Sequence, residues 1–393
     1  CAANVTIEDT IAPNAICQNV TVHLDNTGNG ATTAAAVNNG STDNCAIATL
    51  VLSQTAFGCA EVGVNSEVLT VTDINGNSTT CATTITVMDT VAPIALCQNL
   101  TVQLDSNGNA SITASQIDNG SNDACGIASL VLSNTNFNCA NVNGNTVILT
   151  VTDVNGNSAT CSANVSIEDN VAPIAVCQNV TVQLDNTGNG ATNAAAVDNG
   201  STDNCAISSI VLSQSTFVCA EVGANTAVLT VTDVNGNSTT CAATITVEDN
   251  VAPIAICQNV TVQLDNTGNG TTTATAIDNG SFDNCGIASI TLSQTAFVCS
   301  EVGSNTEVLT VTDVNGNSTT CSATITVEDN IAPVAVCQNI TVQLDNSGNA
   351  TITASQIDSG SNDACGMQSL VLDITTFNCA NVNGNTVILT VTD

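Results

Sequence analysis

Val20, Val22 and Leu24 share one parity and alternate with Asn19, Thr21 and His23. That spacing predicts a half-buried strand. Asp25-Asn-Thr-Gly-Asn-Gly30 follows as a turn cluster. A weaker strand is expected to run to Val37, and Asn38 to Asn44 reads as a polar loop. Ile47 to Leu52 is apolar at both parities, the pattern of a central strand. Phe57 marks a short strand ending at Cys59. Val68 to Thr72 predicts a strand with Leu69 and Val71 inward, and Asn75-Gly76 is a hairpin turn. Thr79 to Val87 closes the pattern, with Cys81, Thr83, Ile85 and Val87 on one face. No stretch has a helical period.

This pattern recurs every 80 residues without insertion or deletion: Ala-Pro pairs begin at Ala12, Ala92, Ala172, Ala252 and Ala332. About seven short strands per period read as an immunoglobulin-type β-sandwich. The expected fold class is therefore all-β, a tandem array of five such repeats. The expected boundaries are 10–89, 90–169, 170–249, 250–329 and a truncated 330–393. Residues 1–9 would be the last strand of a preceding repeat, so the natural chain is expected to extend past both ends. A second rhythm overlies the first. Gln98 to Asp153 closely matches Gln338 to Asp393, and the other repeats carry versions of CxEVGxN. The order is A-B-A-A-B.

Composition narrows the function. The chain has no Lys or Arg, 34 Asp and Glu, one His and a formal charge of −34. With no cation to meet phosphates, nucleic-acid binding is excluded as a reading, and anionic membranes would repel the chain. No apolar run is long enough to insert in a bilayer. One histidine and no lysine supply no nucleophile–base set, so no enzyme is expected. His23 falls where the other repeats have Gln and is read as an exposed substitution. Twenty cysteines without a CxxC pair point to disulfides and an extracellular or cell-surface location.

DxxAPxAxCQNxTVxL at the start of each unit and VTDxNGNxxxC at its end resemble the hyalin repeat (HYR) domain. In the second repeat the carriers are Asp89, Ala92, Pro93, Cys97, Asp153, Asn155, Gly156, Asn157 and Cys161. The resemblance covers essentially the whole chain. It implies immunoglobulin-like modules of extracellular and bacterial surface proteins, often in tandem and linked to adhesion. Three features depart from the family pattern: Cys-Gln replaces Cys-Pro, aromatics are missing from the last two strands, and a cysteine pair such as Cys125 and Cys139 is added.

Four cysteines per unit allow three connectivities. The favoured one is Cys17–Cys81 with Cys45–Cys59. It recurs as Cys97–Cys161 with Cys125–Cys139, Cys177–Cys241 with Cys205–Cys219, Cys257–Cys321 with Cys285–Cys299, and Cys365–Cys379. A Cys1–Cys17 bond across the junction is the rival. The favoured scheme leaves Cys1 and Cys337 without partners.

Acidic positions recur in the classes of Asp9, Asp25, Asp43 and Asp73. Hard oxygen ligands suit Ca²⁺, although no cofactor is required for the reading. Two places are candidates. One is the junction, Glu248 and Asp249, with Asp233 and Asn235 from the hairpin before it. The other is the loop from Asp278 to Asp283. The competing reading is that these residues simply form turns. Asn19, Asn99, Asn179, Asn259 and Asn339 occupy one outward strand position in N-x-T sequons, and are candidate glycosylation sites.

The expected function is structural: an extracellular filament or stalk, extended by self-association or by continuation of the same chain. The absence of Lys and Arg also removes every trypsin site. The alternative is an adhesin region binding carbohydrate or protein ligands, surface glycans among them, with calcium as a candidate aid.

Overall fold

The computed structural model describes all 393 residues. In the first repeat the strands are β1 (Val20–His23), β2 (Gly30–Ala31), β3 (Ile47–Leu52), β4 (Ala56–Phe57), β5 (Gly63–Asp73) and β6 (Ser78–Met88). They form a four-stranded sheet in the order β1-β6-β5-β3 and a two-stranded β2-β4 sheet. β1 runs parallel to β6, with Val20 opposite Ile85 and Val22 opposite Val87, while β5 is antiparallel to both β6 and β3. Isolated bridges at Asn14–Thr42 and Cys17–Asn38 tie the opening segment to the polar loop. The same strand order recurs in the second and fourth repeats. The chain is thus an all-β tandem array of immunoglobulin-like sandwiches.

Alternation explains the core. Val22 of β1 and Leu24 just after it, Leu69 and Val71 from β5, and Ile85 and Val87 from β6 are all buried, with Leu52, Phe57 and Val37 completing the cluster. One aromatic per unit makes a thin core for 80 residues, a size at which disulfides are a common supplement.

Two local expectations are corrected. Ala34–Val37 is a single helical turn, not a strand; the Thr33 hydroxyl caps it by accepting from Ala36 N at 3.2 Å. Ala-rich sequence fits one turn as readily as a strand, and one turn is too short to show a period. β3 is an edge strand, not a central one. Its outward Val51 is 57 % exposed, and the apolar run at both parities reflects β-branched preference rather than burial on two faces.

The fold forms two compact units. One comprises Cys1–Ile174, Thr202–Ser209 and Val231–Thr239; the other comprises Ala175–Ser201, Ile210–Thr230 and Thr240–Asp393. The first unit therefore holds the leading pole of the third repeat together with the two repeats before it. Cys1–Asp9 pairs with no strand, and Val5 and Ile7 are exposed. In the fifth repeat residues 340–343 are not a strand. Its core cluster shrinks to Ile352, Ile357, Leu372 and Leu389.

Candidate functional site: the repeat junction

The chain direction of each strand decides what meets at a junction. β3 and β6 lead away from the pole where a repeat begins, and β5 returns to it. The polar loop before β3 and the β5–β6 turn therefore share the leading pole. The Asp25–Asn29 turn and the 3₁₀ turn Cys59–Glu61 lie together at the other end, where the Cys59 sulfur is 3.8 Å from Gly28 O.

This geometry overturns five of the nine expected disulfides. The bonds Cys17–Cys81, Cys97–Cys161, Cys177–Cys241 and Cys257–Cys321 form within repeats as expected, each spanning 64 residues. Cys45–Cys59, Cys125–Cys139, Cys205–Cys219, Cys285–Cys299 and Cys365–Cys379 do not form. In the first repeat β3 alone, six residues long, carries the chain about 20 Å between Cys45 and Cys59. The trailing cysteine instead bonds the leading cysteine of the next repeat: Cys59–Cys125, Cys139–Cys205, Cys219–Cys285 and Cys299–Cys365, each spanning 66 residues. Cys1, Cys45, Cys337 and Cys379 are free and exposed. Eight disulfides fit an oxidising environment, and the protein is extracellular or at a cell surface.

Around the Cys139–Cys205 bond the contact is close. Asn204 Nδ2 donates to Asp105 O of the preceding repeat at 3.3 Å and to the Asp169 carboxylate at 3.1 Å. Asn284 repeats both contacts with Asp185 O and Asp249. The B-type repeats have Ala124 and Ala364 at this position, so the A-B-A-A-B order distinguishes junctions with and without the asparagine stitch.

Gly108 adopts φ +75°, and a Cβ there would stand 2.7 Å from both Asn204 O and the Cys139 sulfur. Gly108→Ala is therefore expected to destabilise this junction by roughly 1–3 kcal/mol, combining backbone strain and steric overlap. Faster reductive opening of Cys139–Cys205 than in the parent, followed by mass spectrometry, checks this. An unchanged rate would show that the contact is not tight.

The acidic residues regroup for the same reason. Asp169, Asp203 and Asp233 bring one ligand atom each to within 4.8 Å of one another, as do Asp249, Asp283 and Asp313, and Asp9, Asp43 and Asp73. Asp233 thus belongs with the aspartate before its repeat, not with Glu248 and Asp249 after it. Asp249 and Asp283, assigned to two candidate places, come together in one. Glu248 lies outside, accepting from Gln183 Nε2 at 2.7 Å. Asp278 is also outside: it accepts from Ser281 N at 3.0 Å, and the Ser281 hydroxyl is the main group holding its carboxyl below the ordinary range. Asn235 is exposed, and its N–H donates to Asp233 at 2.9 Å. Sequence reasoning missed Asp169, Asp203 and Asp313 as members of these two clusters because the strand directions that bring them to the pole were unknown.

Each aspartate is fixed by the backbone. Asp233 Oδ1 accepts from Asn235 N and Asn237 N at 2.9 and 2.8 Å, and Oδ2 accepts from Asn237 Nδ2 at 2.8 Å. Asn237 Nδ2 also donates to Asp169 O at 3.0 Å, locking the linker to the hairpin. In the equivalent Asp73, burial pushes the carboxyl up, but the Asn77 and Asn75 donors outweigh it and hold the group below its ordinary range.

The sequon residues Asn19, Asn99, Asn179 and Asn259 are exposed; each Oδ1 accepts a backbone N–H from the last strand, and Nδ2 makes no hydrogen bond. Asn339 is also exposed. His23 is exposed on β1. The Phe57 side chain is core, whereas Phe282 is 54 % exposed.

No family model matches the chain, and no curated protein matches it. Among solved structures, it is similar to the protocadherin gamma B7 extracellular cadherin domains 1–4, with TM-score 0.28 and 12 % identity over 72 % of this chain and 91 % of that one. It is similar to the Sidekick-1 immunoglobulin domains 1–5, with TM-score 0.28 and 9 % identity over 80 % of each chain. For the human desmocollin-1 ectodomain the TM-score is 0.24 and identity 12 %, over 83 % of this chain and 84 % of that one.

Proposed function

We propose that this chain is a structural segment of an extracellular filament or surface stalk, built from HYR-type modules. The observation that carries the reading is the disulfide between every successive pair of repeats. A binding module needs a presented surface. A bond that fastens each module to its neighbour serves the mechanics of the array instead. The constant period supports the same reading, since identical spacing gives identical junction chemistry along the chain. The units would be 10–89 and its 80-residue successors. The outward Asn19 class, with Nδ2 free, would carry sugar along one strand position.

The adhesin reading draws support only from the exposed Phe282, a single aromatic in one repeat. Electron microscopy of native extracellular material, averaged along any fibre axis, tests the proposal. The expected result is a continuous fibre whose axial repeat is one module or a multiple of it. Short rods ending in a distinct head would overturn it and make this region the stalk of an adhesin.

A further inference from the structure

The three-aspartate clusters are unusual in what they leave over. Asp169 is 6 % exposed, and only its Oδ1 is engaged, accepting from Val171 N at 3.1 Å and from Asn204 Nδ2. Asp203 Oδ2 accepts from Cys205 N at 2.8 Å and Ala206 N at 3.0 Å. The remaining oxygens, Asp169 Oδ2 and Asp203 Oδ1, are buried and have no hydrogen-bond partner. The same two positions are left over at Asp249 Oδ2 with Asp283 Oδ1, and at Asp9 Oδ2 with Asp43 Oδ1.

A buried carboxylate oxygen without a donor is costly, and two beside a third carboxylate repel one another. Proteins usually relieve such a group with Lys or Arg. This chain has neither. A cation from solution sitting among the carboxylates would relieve both the repulsion and the missing partners. The donor set is all carboxylate oxygen with no histidine, which is the preference of a hard divalent ion; a free thiol, Cys45, lies against Asp9 alone, and the Asp169 and Asp249 clusters have none.

We propose that Asp169, Asp203 and Asp233 form a Ca²⁺ site, and that Asp249, Asp283 and Asp313, and Asp9, Asp43 and Asp73, form two more. The hydrogen bonds from Val171 and Cys205 hold one oxygen each of Asp169 and Asp203 and leave the other open, while Asn235 and Asn237 fix both oxygens of Asp233 beside them. Further coordination positions would be filled by water, since three side chains do not complete a calcium shell. In the Asp169 site the three ligands come from the linker, the loop before the Cys139–Cys205 bond and the hairpin. Bound calcium would therefore fasten these three pieces of chain beside the disulfide. The B-type repeats, whose clusters are Asp89, Asp123, Cys125 and Asp329, Asp363, Cys365, lack the third converging carboxylate and are not included.

Equilibrium dialysis of the oxidised full chain against radioactive calcium at neutral pH tests the proposal. The expected result is saturable uptake of about three ions per chain. Asp203→Asn and Asp43→Asn should each remove about one of them, and Asp278→Asn, a turn carboxylate outside the clusters, should remove none. Circular dichroism and disulfide mass mapping show that each variant has folded. Folded variants that bind as many ions as the parent would overturn the assignment. So would a parent that binds no calcium.

Discussion

Replacing Cys97 and Cys161 together by alanine is expected to lower the stability of the second repeat by about 4 kcal/mol. The bond closes 64 residues, and the loop-entropy estimate for that length dominates the effect. A domain of 80 residues has a total stability of only about 4–12 kcal/mol. The loss is a large share of it, and the small core offers little reserve: Phe137 is its one aromatic. Calorimetry of the full chain should show a new transition at lower temperature for one repeat, with the others unmoved. A thermogram identical to the parent would mean that the unfolded repeat is already restrained by the bonds Cys59–Cys125 and Cys139–Cys205, which begin or end inside it.

Leu149→Ala should cost a comparable 2–5 kcal/mol through a different route, the cavity left in a packed interior. Leu149 is fully buried in the centre of its sheet, opposite Leu132 on one side and Cys161 on the other. The surrounding side chains are mostly β-branched, and Val151, Val165 and Ile167 have few alternative rotamers with which to fill the space. Urea unfolding with the disulfides intact would show a lower midpoint for one of the transitions. A change below about 1 kcal/mol would show that the core relaxes around the vacancy. The matched surface change Val131→Ala, at a side chain 58 % exposed, should stay within about 0.5 kcal/mol.

The two halves of this architecture were unequally visible in the sequence. The faces of the strands were legible wherever polar and apolar residues alternate, as along Val20–Leu24 and Thr79–Val87, because a period of two has a single structural meaning. The Ala34–Val37 turn carried no such alternation. The pairing of cysteines and aspartates was not local information. Cys45 and Cys59 are near neighbours in sequence, yet β3 separates them by its length, and only the strand directions show that Cys59 faces the next repeat. Asp233 was assigned to the wrong neighbour for the same reason. It lies at the end of a strand that returns to the leading pole, so its partners are Asp169 and Asp203. Spacing pointed to acidic residues at a junction, and topology chose which of them meet.

The bonds of 64 and 66 residues interleave. Cys17–Cys81 overlaps Cys59–Cys125, which overlaps Cys97–Cys161, and so on to Cys299–Cys365, so that every peptide bond from Cys17 to Cys365 lies inside at least one closed ring. Under tension such a chain behaves like a welded ladder rather than a string of beads. Load can pass from ring to ring through sulfur, crossing only short stretches such as Cys81 to Cys97 as backbone. Even a repeat that lost its fold would release little slack. One severed rail would leave the other to carry the pull.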